Sequence, residues 1–279
     1  MFYGYHETIK DGIDKAIKYV NANNCNSLQI FVSNPQSIKK NPIRNKEEIQ
    51  KSVYLINRLK TKLFIHSPYV INIAKHFTLN DKQIQYMIKE LNTGAALSSC
   101  GNVLHVGKYL TLDKEDAIQN MKHNIELILK HSNPKSRLLI ETPAGQGTEL
   151  FYRLEDLALF FNSLKQKNKR LGICVDTCHI FAAGYDIRTK EGVISYFKLF
   201  NKLIGLKHLK VIHLNDSYNR FGSRVDNHEN LGKGFIGKTG LTYVINVAKK
   251  YKIPLILETP NRNDTEELEF VKHALAKMS

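Results

Sequence analysis

The feature that most constrains this chain is a regular alternation of short β-rich runs with helical patterns. The β-rich runs are FYGYH (2–6), LQIFV (28–32), KLFIH (62–66), NVLHV (102–106), RLLIE (137–141), GICVD (172–176), KVIHL (210–214) and PLILE (254–258). Between them, apolar residues recur at three- and four-residue spacing in stretches such as 47–59, 116–129 and 241–250. Strand–helix alternation repeated eight times predicts an α/β fold, a parallel sheet closed into a (β/α)8 TIM barrel with helices outside.

The chain has the length and the apolar content that one barrel domain needs. Its 279 residues are 42% hydrophobic, enough to bury a full core. No linker rich in proline, glycine or serine divides it, so we expect a single domain over residues 1–279. The sequence shows no secretory leader and no apolar run of membrane-spanning length, which predicts a soluble, intracellular protein with no membrane partner.

The charge balance is strongly basic. Lys and Arg number 41 against 26 Asp and Glu, giving a net charge of +15 and a pI near 9.5. Such a surface attracts polyanions, and nucleic acid is the favoured partner. The alternative is a compositional bias toward Lys, Asn and Ile, which would raise the pI of any protein. That bias hints at an AT-rich genome, and a viral source would leave packaging in the virion open.

Potential metal ligands follow the predicted strands to their C-terminal ends. Six of the eight runs carry one there: His66, His105, Glu141, Asp176, His213 and Glu258. In a barrel these ends meet on one face, where active sites lie. One such histidine alone is more simply a buried structural residue. Burying six ionisable groups together without a cation would cost many kcal/mol, so the set predicts a multinuclear metal centre.

Two loop motifs add ligands of the same kind. DTCH (176–179) contributes His179, and VDNH (225–228) contributes Asp226 and His228, whose spacing suits an extended loop turned toward one ion. Five imidazoles and four carboxylates exceed what one ion binds and suit two or three metals. This donor set favours zinc and leaves manganese or iron open at some positions.

Several segments, in this order along the chain, carry a family resemblance. They are HSPYVIN (66–72), LHVG (104–107), ETPAGQGTEL (141–150), GICVDTCHIFAAGYDIRT (172–189), HLNDSYNRFGSRVDNHENLGKGFIG (213–237) and PLILETP (254–260). With them the sequence resembles endonuclease IV, the zinc-dependent abasic-site endonucleases of base-excision DNA repair, over nearly its whole length. The resemblance implies hydrolysis of the phosphodiester 5′ of an abasic site, leaving a 3′-hydroxyl and a 5′-deoxyribose phosphate. Damaged double-stranded DNA is then the expected partner, bound by a monomer.

The resemblance also implies a ligand set for three Zn2+ ions. The first ion would take His66, His105 and Glu141, with Glu141 bridging to the second. The second would also be held by the side chains of Asp176, His213 and Glu258. The third would be held by the side chains of His179, Asp226 and His228. Glu141 and Glu258 are the expected catalytic carboxylates, Glu141 because it can orient or deprotonate the attacking water as well as bridge.

The same resemblance implies DNA contacts at the barrel top. The expected contacts are His6, Gln36, Tyr69, Gly222, Ser223 and Arg224. Asp216 and Glu229 are expected to support or cap the loop around them. The family usually has arginine where Gln36 and Asn227 stand. The contact at Gln36 is expected to be weaker or to be supplied by Lys39, Lys40 or Arg44, and Asn227 is expected to weaken DNA contact without affecting the metal ligands.

Two other functions compete with this interpretation. A metal-dependent sugar isomerase or epimerase of related barrel fold would share strand-end histidines and acids, but it needs only one or two ions and gains little from a charge of +15. A DNA-binding protein that has lost catalysis would have no need of nine intact ligand positions. The DTCH, GSRVDNH and GQG segments favour the nuclease.

Overall fold

In a computed structural model the chain forms the predicted closed barrel. The structure describes residues 1–40, 45–165, 169–260 and 264–276. Eight parallel strands close in the order β1-β10-β7-β6-β5-β4-β3-β2. Their bounds are β1 Tyr3–Glu7, β2 Ser27–Ile30, β3 Lys62–His66, β4 Gly101–Leu104, β5 Leu138–Glu141, β6 Leu171–Asp176, β7 Leu209–His213 and β10 Leu255–Leu257. The predicted (β/α)8 fold is confirmed.

The strands form because their residues are β-branched or large and apolar, and almost every one is buried. Alternate side chains face inward and fill the barrel interior below the metal-type ligands. This inner layer consists of Phe64, Val103, Leu139, Cys174, Val211 and Ile256. The barrel floor is therefore a packed apolar core, and the polar residues are left at the upper end of the strands.

Amphipathic helices pack around the barrel. Their bounds are α1 Ile13–Ala22, α2 Lys46–Leu59, α3 Lys82–Ala96, α4 Lys114–His131, α5 Leu154–Ser163, α6 Thr177–Ala182, α7 Lys190–Leu203, α8 Gly237–Tyr251 and α9 Asp264–Ala276. Several begin at a side chain that accepts from the first turn: Asn45 Oδ1 accepts from Glu48 N at 2.7 Å, and Asp113 Oδ1 accepts from Glu115 N at 2.8 Å. The three helices predicted from periodicity are present and extend slightly beyond the predicted bounds.

The structure differs from the sequence-based prediction above the barrel, at several strand ends and in the long segment after β7. β2 ends at Ile30, two residues before the predicted end. β4 ends at Leu104 and β10 ends at Leu257, so His105 and Glu258 are the first loop residues rather than strand residues. In addition, the long segment after β7 contains a two-stranded antiparallel ribbon, β8 Asp216–Ser217 and β9 His228–Glu229. This ribbon folds the segment back over the barrel mouth. Within the described residues, no helix is both long enough and apolar enough to cross a membrane.

Candidate metal centre

The nine predicted ligands converge at the C-terminal face of the barrel. Five are buried, three are half-buried, and Asp226 lies at the rim with a third of its side chain exposed (32%). Five sets of potential ligand atoms lie within 4.8 Å of one another; two of them include Cys174 or Cys178, and the other three match the predicted groups. These are His66 with His105 and Glu141; Glu141 with Asp176, His213 and Glu258; and His179 with Asp226 and His228.

The first group has its ligand atoms directed at one carboxylate oxygen. His105 Nε2 lies 3.0 Å and His66 Nε2 3.4 Å from Glu141 Oε2. The other nitrogen of His66, Nδ1, donates to the carbonyl of Ser67 at 2.8 Å. That bond fixes the tautomer and leaves Nε2 free to bind a cation.

The second group uses the opposite nitrogen of its histidine. His213 Nε2 donates to Gln29 Oε1 at 2.9 Å, so Nδ1 faces the acids. Nδ1 lies 2.8 Å from Glu141 Oε1, 3.0 Å from Glu258 Oε2 and 3.8 Å from Asp176 Oδ2. Glu141 therefore directs one oxygen to each of the first two groups, which is the arrangement of a bridging carboxylate.

The third group of ligands comes from α6 and from the long segment after β7. His179 Nε2 lies 3.0 Å and His228 Nε2 3.3 Å from Asp226 Oδ1. Both rings are oriented through Nδ1, which donates to the Thr142 carbonyl from His179 at 2.9 Å and to the Glu258 carbonyl from His228 at 3.2 Å. In this group too, one nitrogen is fixed by a backbone carbonyl and the other points inward.

The pKa values in the third group are displaced by burial and by close opposite charges. Burial disfavours charge on His228, but Asp176 and Asp226 outweigh it and raise the pKa of His228 to about 9. The same competition raises the pKa of His179 well above its ordinary value. Burial would raise the pKa of Asp226, yet His179 and His228 lower it. The pocket thus stabilises positive charge at the positions that the imidazole nitrogens face.

The donor set fits a cation. Glu141 Oε2, His179 Nε2 and His228 Nε2 are buried and make no hydrogen bond among the described residues. Buried polar atoms are nearly always satisfied, so three unsatisfied atoms in one cluster point to a missing partner. Imidazole and carboxylate donors in groups of three or four suit zinc.

Two positioning side chains were not predicted from the sequence. Gln29, on β2, donates its amide nitrogen to Glu258 Oε1 at 2.6 Å as well as accepting from His213. Asn215 donates to Asp176 Oδ2 at 2.7 Å and accepts from the Glu258 backbone N–H at 2.8 Å. Both are fully buried. The only sequence signal was a polar amide in or directly after an otherwise apolar strand.

The predicted DNA-contact loop 222–224 is pinned beside the third group. Gly222 N–H donates to the Phe181 carbonyl at 3.2 Å, and Gly222 and Arg224 both have positive φ, 71° and 53°. Arg224 is exposed; its guanidinium stacks 4.3 Å from the Tyr152 ring centre and donates to the Tyr152 hydroxyl at 2.8 Å. Ser223 is half-buried between them. The loop therefore places the Arg224 guanidinium, fixed by Tyr152, next to the candidate metal ligands.

Tyr69 stands on the other rim of the mouth. Its side chain is 58% exposed, while its ring contacts those of His66 and His105, with centroids 5.5 and 5.8 Å apart. Tyr69 N–H donates to the Pro35 carbonyl at 2.9 Å, which joins it to the loop carrying the exposed Gln36. Tyr69 is thus placed to meet a ligand entering the pocket, and Gln36 lies further out.

His6 is turned toward the ligands rather than toward solvent. Its Nδ1 lies 3.1 Å from Glu258 Oε1, and its ring packs against Phe31 with centroids 4.5 Å apart. Burial lowers the pKa of His6, against the opposing effect of Glu258. In this structure His6 therefore supports Glu258, and its expected contact with DNA stays a prediction.

Asp216 explains the glycines of the long segment. Its buried carboxylate accepts from the backbone N–H groups of Gly232 (2.9 Å), Gly234 (3.1 Å) and Ile236 (2.9 Å), and also contacts that of Gly237. A side chain at Gly234 would collide with Asp216 itself, so only glycine allows this approach. Asp216 caps this loop as predicted.

Two concave spaces open above the ligands. A cavity of about 290 Å³ is lined by His66, Tyr69, His105, His179, Asp226, Asn227, His228, Glu258 and Pro260. Beside it runs a groove of about 950 Å³ whose lining includes the side chains of Lys10, Lys39 and Lys40. Arg44, the third basic residue expected to replace the missing arginines, lies outside the described residues. A ligand in the cavity lined by the candidate metal ligands would therefore extend over a basic surface.

Comparison with known proteins first defines the class. The chain matches the model of xylose isomerase-like TIM barrels over residues 17–278. At the level of fold it also resembles a D-tagatose 3-epimerase-like protein, with a TM-score of 0.73 and 17% identity over 99% of this chain and 98% of that one. At that identity the likeness shows the fold alone.

Closer relatives then define the family. The chain is 36% identical over 270 residues to a protein of Chloroflexus aurantiacus named probable endonuclease 4, covering 95% of this chain and 93% of that protein. The solved structure of endonuclease IV from Thermus thermophilus superposes with a TM-score of 0.86 at 28% identity, covering 99% of this chain and 100% of that one. The chain belongs to the endonuclease IV family, as the motifs predicted.

Proposed function

We propose that this protein is a zinc-dependent abasic-site endonuclease that hydrolyses the phosphodiester 5′ of the lesion, leaving a 3′-hydroxyl and a 5′-deoxyribose phosphate. The observation that carries the proposal is the position of Glu141. Its two carboxylate oxygens approach different ligand groups, with His105 Nε2 3.0 Å from one and His213 Nδ1 2.8 Å from the other. Such a carboxylate holds two cations close enough to act on one phosphate.

In this proposal the nine side chains hold three zinc ions in the groups given above. Bound zinc supplies a water activated for attack at neutral pH and neutralises the charge that grows on the phosphate. Glu141 orients that water or accepts its proton, from a buried position where its carboxylate stays charged: burial works against this, but His213 and His105 hold the pKa of Glu141 well below its usual range. Glu258, the second proposed catalytic carboxylate, belongs to the second ligand group and is held in place by His6 and Gln29.

The surroundings support a DNA substrate. The cavity of about 290 Å³ lined by the candidate metal ligands has room for a flipped-out sugar and phosphate, and beside it lies a much larger basic groove. Arg224 and the groove lysines are available to duplex phosphates, and the net charge of +15 favours a polyanion. We therefore take damaged double-stranded DNA as the partner and the intracellular space that holds the genome as the place of action, with the monomer as the active form.

The experiment is incision of a labelled duplex that contains one tetrahydrofuran abasic analogue, before and after the metal is stripped with a chelator. The analogue cannot undergo β-elimination, so a cut on its 5′ side reports hydrolysis. We expect a cut that disappears on stripping and returns with zinc. A metallated protein that leaves the duplex intact would overturn the proposal and direct attention to sugar isomerisation. Binding that survives stripping while incision is also unaffected would overturn the metal requirement.

A further inference from the structure

A carboxyl group outside the ligand set lies buried behind the first metal group. Glu90, on α3, has no exposed surface, and Ser67 Oγ donates to its Oε1 at 2.5 Å. Among the described residues no lysine, arginine or histidine forms an ion pair with it. Burying a carboxyl costs free energy, so a group kept there without a charged partner calls for an explanation.

Ser67 connects Glu90 to a metal ligand. It directly follows His66, and three of its atoms are held: N–H by the Val103 carbonyl (2.8 Å), Oγ by Glu90, and the carbonyl oxygen by His66 Nδ1 (2.8 Å). The last bond orients the ring whose Nε2 faces Glu141. Movement of Ser67 would therefore turn His66 away from its place in the first group.

A second arm runs from Glu90 toward the DNA-facing loops. Tyr86 lies four residues before Glu90 on α3, a spacing that puts the two side chains side by side on the helix. The Tyr86 hydroxyl forms a short hydrogen bond with Ser33 Oγ. Ser33 begins the loop 33–36. The Pro35 carbonyl of that loop accepts from Tyr69 N–H at 2.9 Å. The network around Glu90 thus reaches the loop 33–36 and the loop that carries Tyr69.

We propose that Glu90 is a positioning residue for this site: through Ser67 it orients the zinc ligand His66, and through Tyr86 it fixes the loop 33–36 against the DNA. We call the link through Ser67 to His66 the zinc arm, and it rests on hydrogen bonds alone. The link through Tyr86 to the loop 33–36 is the DNA arm, and it rests on the function proposed above. Burial also raises the pKa of Glu90 to about 8, so the carboxyl is largely neutral at pH 7. Glutamine then keeps both its shape and its acceptor for Ser67.

The zinc arm is tested with Glu90→Gln, Glu90→Leu and Ser67→Ala, and with Ser52→Ala as the matched control. Ser52 is also a fully buried serine, but its hydroxyl has no hydrogen-bond partner among the described residues and lies on α2. Zinc retention is measured by competition with a chromophoric chelator, and folding by circular dichroism and thermal melting. Loss of a group that orients a metal ligand lowers metal affinity roughly 10–100-fold, which we expect for Glu90→Leu and Ser67→Ala, whereas Glu90→Gln and Ser52→Ala should hold zinc like the wild type.

If Glu90→Leu fails to fold, the double variant Ser67→Ala/Glu90→Leu removes both polar partners and avoids leaving one unpaired. Folded Ser67→Ala or double variant with wild-type zinc retention would overturn the zinc arm. Loss of zinc in proportion to lowered melting temperature, equal in Glu90→Gln and Glu90→Leu, would also overturn it, because that is the result of a merely structural role.

The DNA arm is tested with Tyr86→Phe, which removes only the hydroxyl. We expect a higher KM for abasic DNA with kcat and zinc retention unchanged, since the loop is loosened while the metal ligands are not. Unchanged KM would overturn this arm. A wild type that holds zinc but does not cut abasic DNA would overturn the proposed function and the DNA arm with it, while the zinc measurements would still decide the role of Ser67 and Glu90.

Discussion

Gln29 holds His213 and Glu258 with the two ends of one amide. Its Oε1 accepts from His213 Nε2 at 2.9 Å, and its Nε2 donates to Glu258 Oε1 at 2.6 Å. His213 is thereby locked in the tautomer that directs Nδ1 at the second metal group, and one Glu258 oxygen is occupied while the other remains 3.0 Å from Nδ1. A single neutral side chain thus sets the orientation of one imidazole ligand and one carboxylate ligand.

Replacing Gln29 should therefore weaken metal binding without unfolding the barrel. Gln29→Leu keeps the volume but removes both hydrogen bonds, and we expect a roughly 10–100-fold loss of zinc affinity. Equilibrium competition with a chelator measures it. The control is Gln85→Leu, a half-buried glutamine on α3 whose amide donates to the Leu79 carbonyl at 2.7 Å, away from the ligands. Equal zinc affinity in both variants would contradict the role of Gln29 in fixing the tautomer.

Glu141→Gln tests the bridging carboxylate. The amide retains the size of the side chain but removes the charge and one acceptor oxygen, so we expect incision of abasic duplex to fall by at least roughly 100-fold. Binding of that duplex should change little, because Glu141 is buried beneath the cavity. Single-turnover incision and fluorescence anisotropy measure the two quantities. Glu191→Gln, at an exposed position on α7, is the control. A near-wild-type rate for Glu141→Gln would rule out the bridge.

Zinc binding should release protons. In the metal-free protein, burial opposes charge on His228 and His179, but Asp176 and Asp226 raise the pKa of both, that of His228 to about 9. Zinc binds only the neutral imidazole, so protons held there must leave. Because the pKa of His228 is about 9, this ring carries its extra proton more fully at pH 7 than at pH 9. We therefore expect zinc binding to release more protons at pH 7 than at pH 9. Calorimetric titration in buffers of different ionisation enthalpy measures the number of protons released. Equal numbers at pH 7 and pH 9 would show that both imidazole rings are neutral before zinc binds.

The fold was predictable because eight strands and their helices each carry a strong local pattern, and the ligands were predictable because parallel strands bring their C-terminal ends together. The exact ends of several strands were not, and two of these matter for the ligands. β4 and β10 stop at Leu104 and Leu257, short of His105 and Glu258, because pairing with the neighbouring strands ends there. Pairing is a property of the sheet, which no single segment contains.

The supporting residues were beyond prediction for a related reason. Gln29 is one amide in the apolar run LQIFV, and Glu90 is the acidic residue beside Lys89 in the helical stretch YMIKEL. Locally, each is an ordinary residue of its element. Their roles depend on which side chains from β7, the loop after β10 and the loop after β3 reach them, over separations of 184, 229 and 23 residues. Only the closed barrel brings those partners together.

Arg224 should contribute one phosphate contact to DNA binding. It is exposed and held over Tyr152, so little freedom is lost when a phosphate binds. The logarithm of the binding constant should fall with the logarithm of salt concentration by about 0.9 per contact, and Arg224→Ala should reduce that slope by about 0.9. Anisotropy titrations at several salt concentrations measure it. Arg137→Ala is the control, exposed at the opposite end of the barrel before β5. Parallel salt slopes for wild type and Arg224→Ala would exclude the contact.

Glu90 should also leave a signature in the pH dependence of stability. Burial raises its pKa from 4.5 to about 8. Between these values the folded state holds a proton that the unfolded chain has lost, so the unfolding free energy falls as the pH rises, by at most about 1.4 kcal/mol per pH unit. Glu90→Gln has no such proton, so its free energy of unfolding should rise relative to that of the wild type between about pH 5 and 8. Urea unfolding of both proteins in chelator measures the difference, and the histidines common to both cancel. A difference that stays constant over this range would mean that the folded protein carries Glu90 charged.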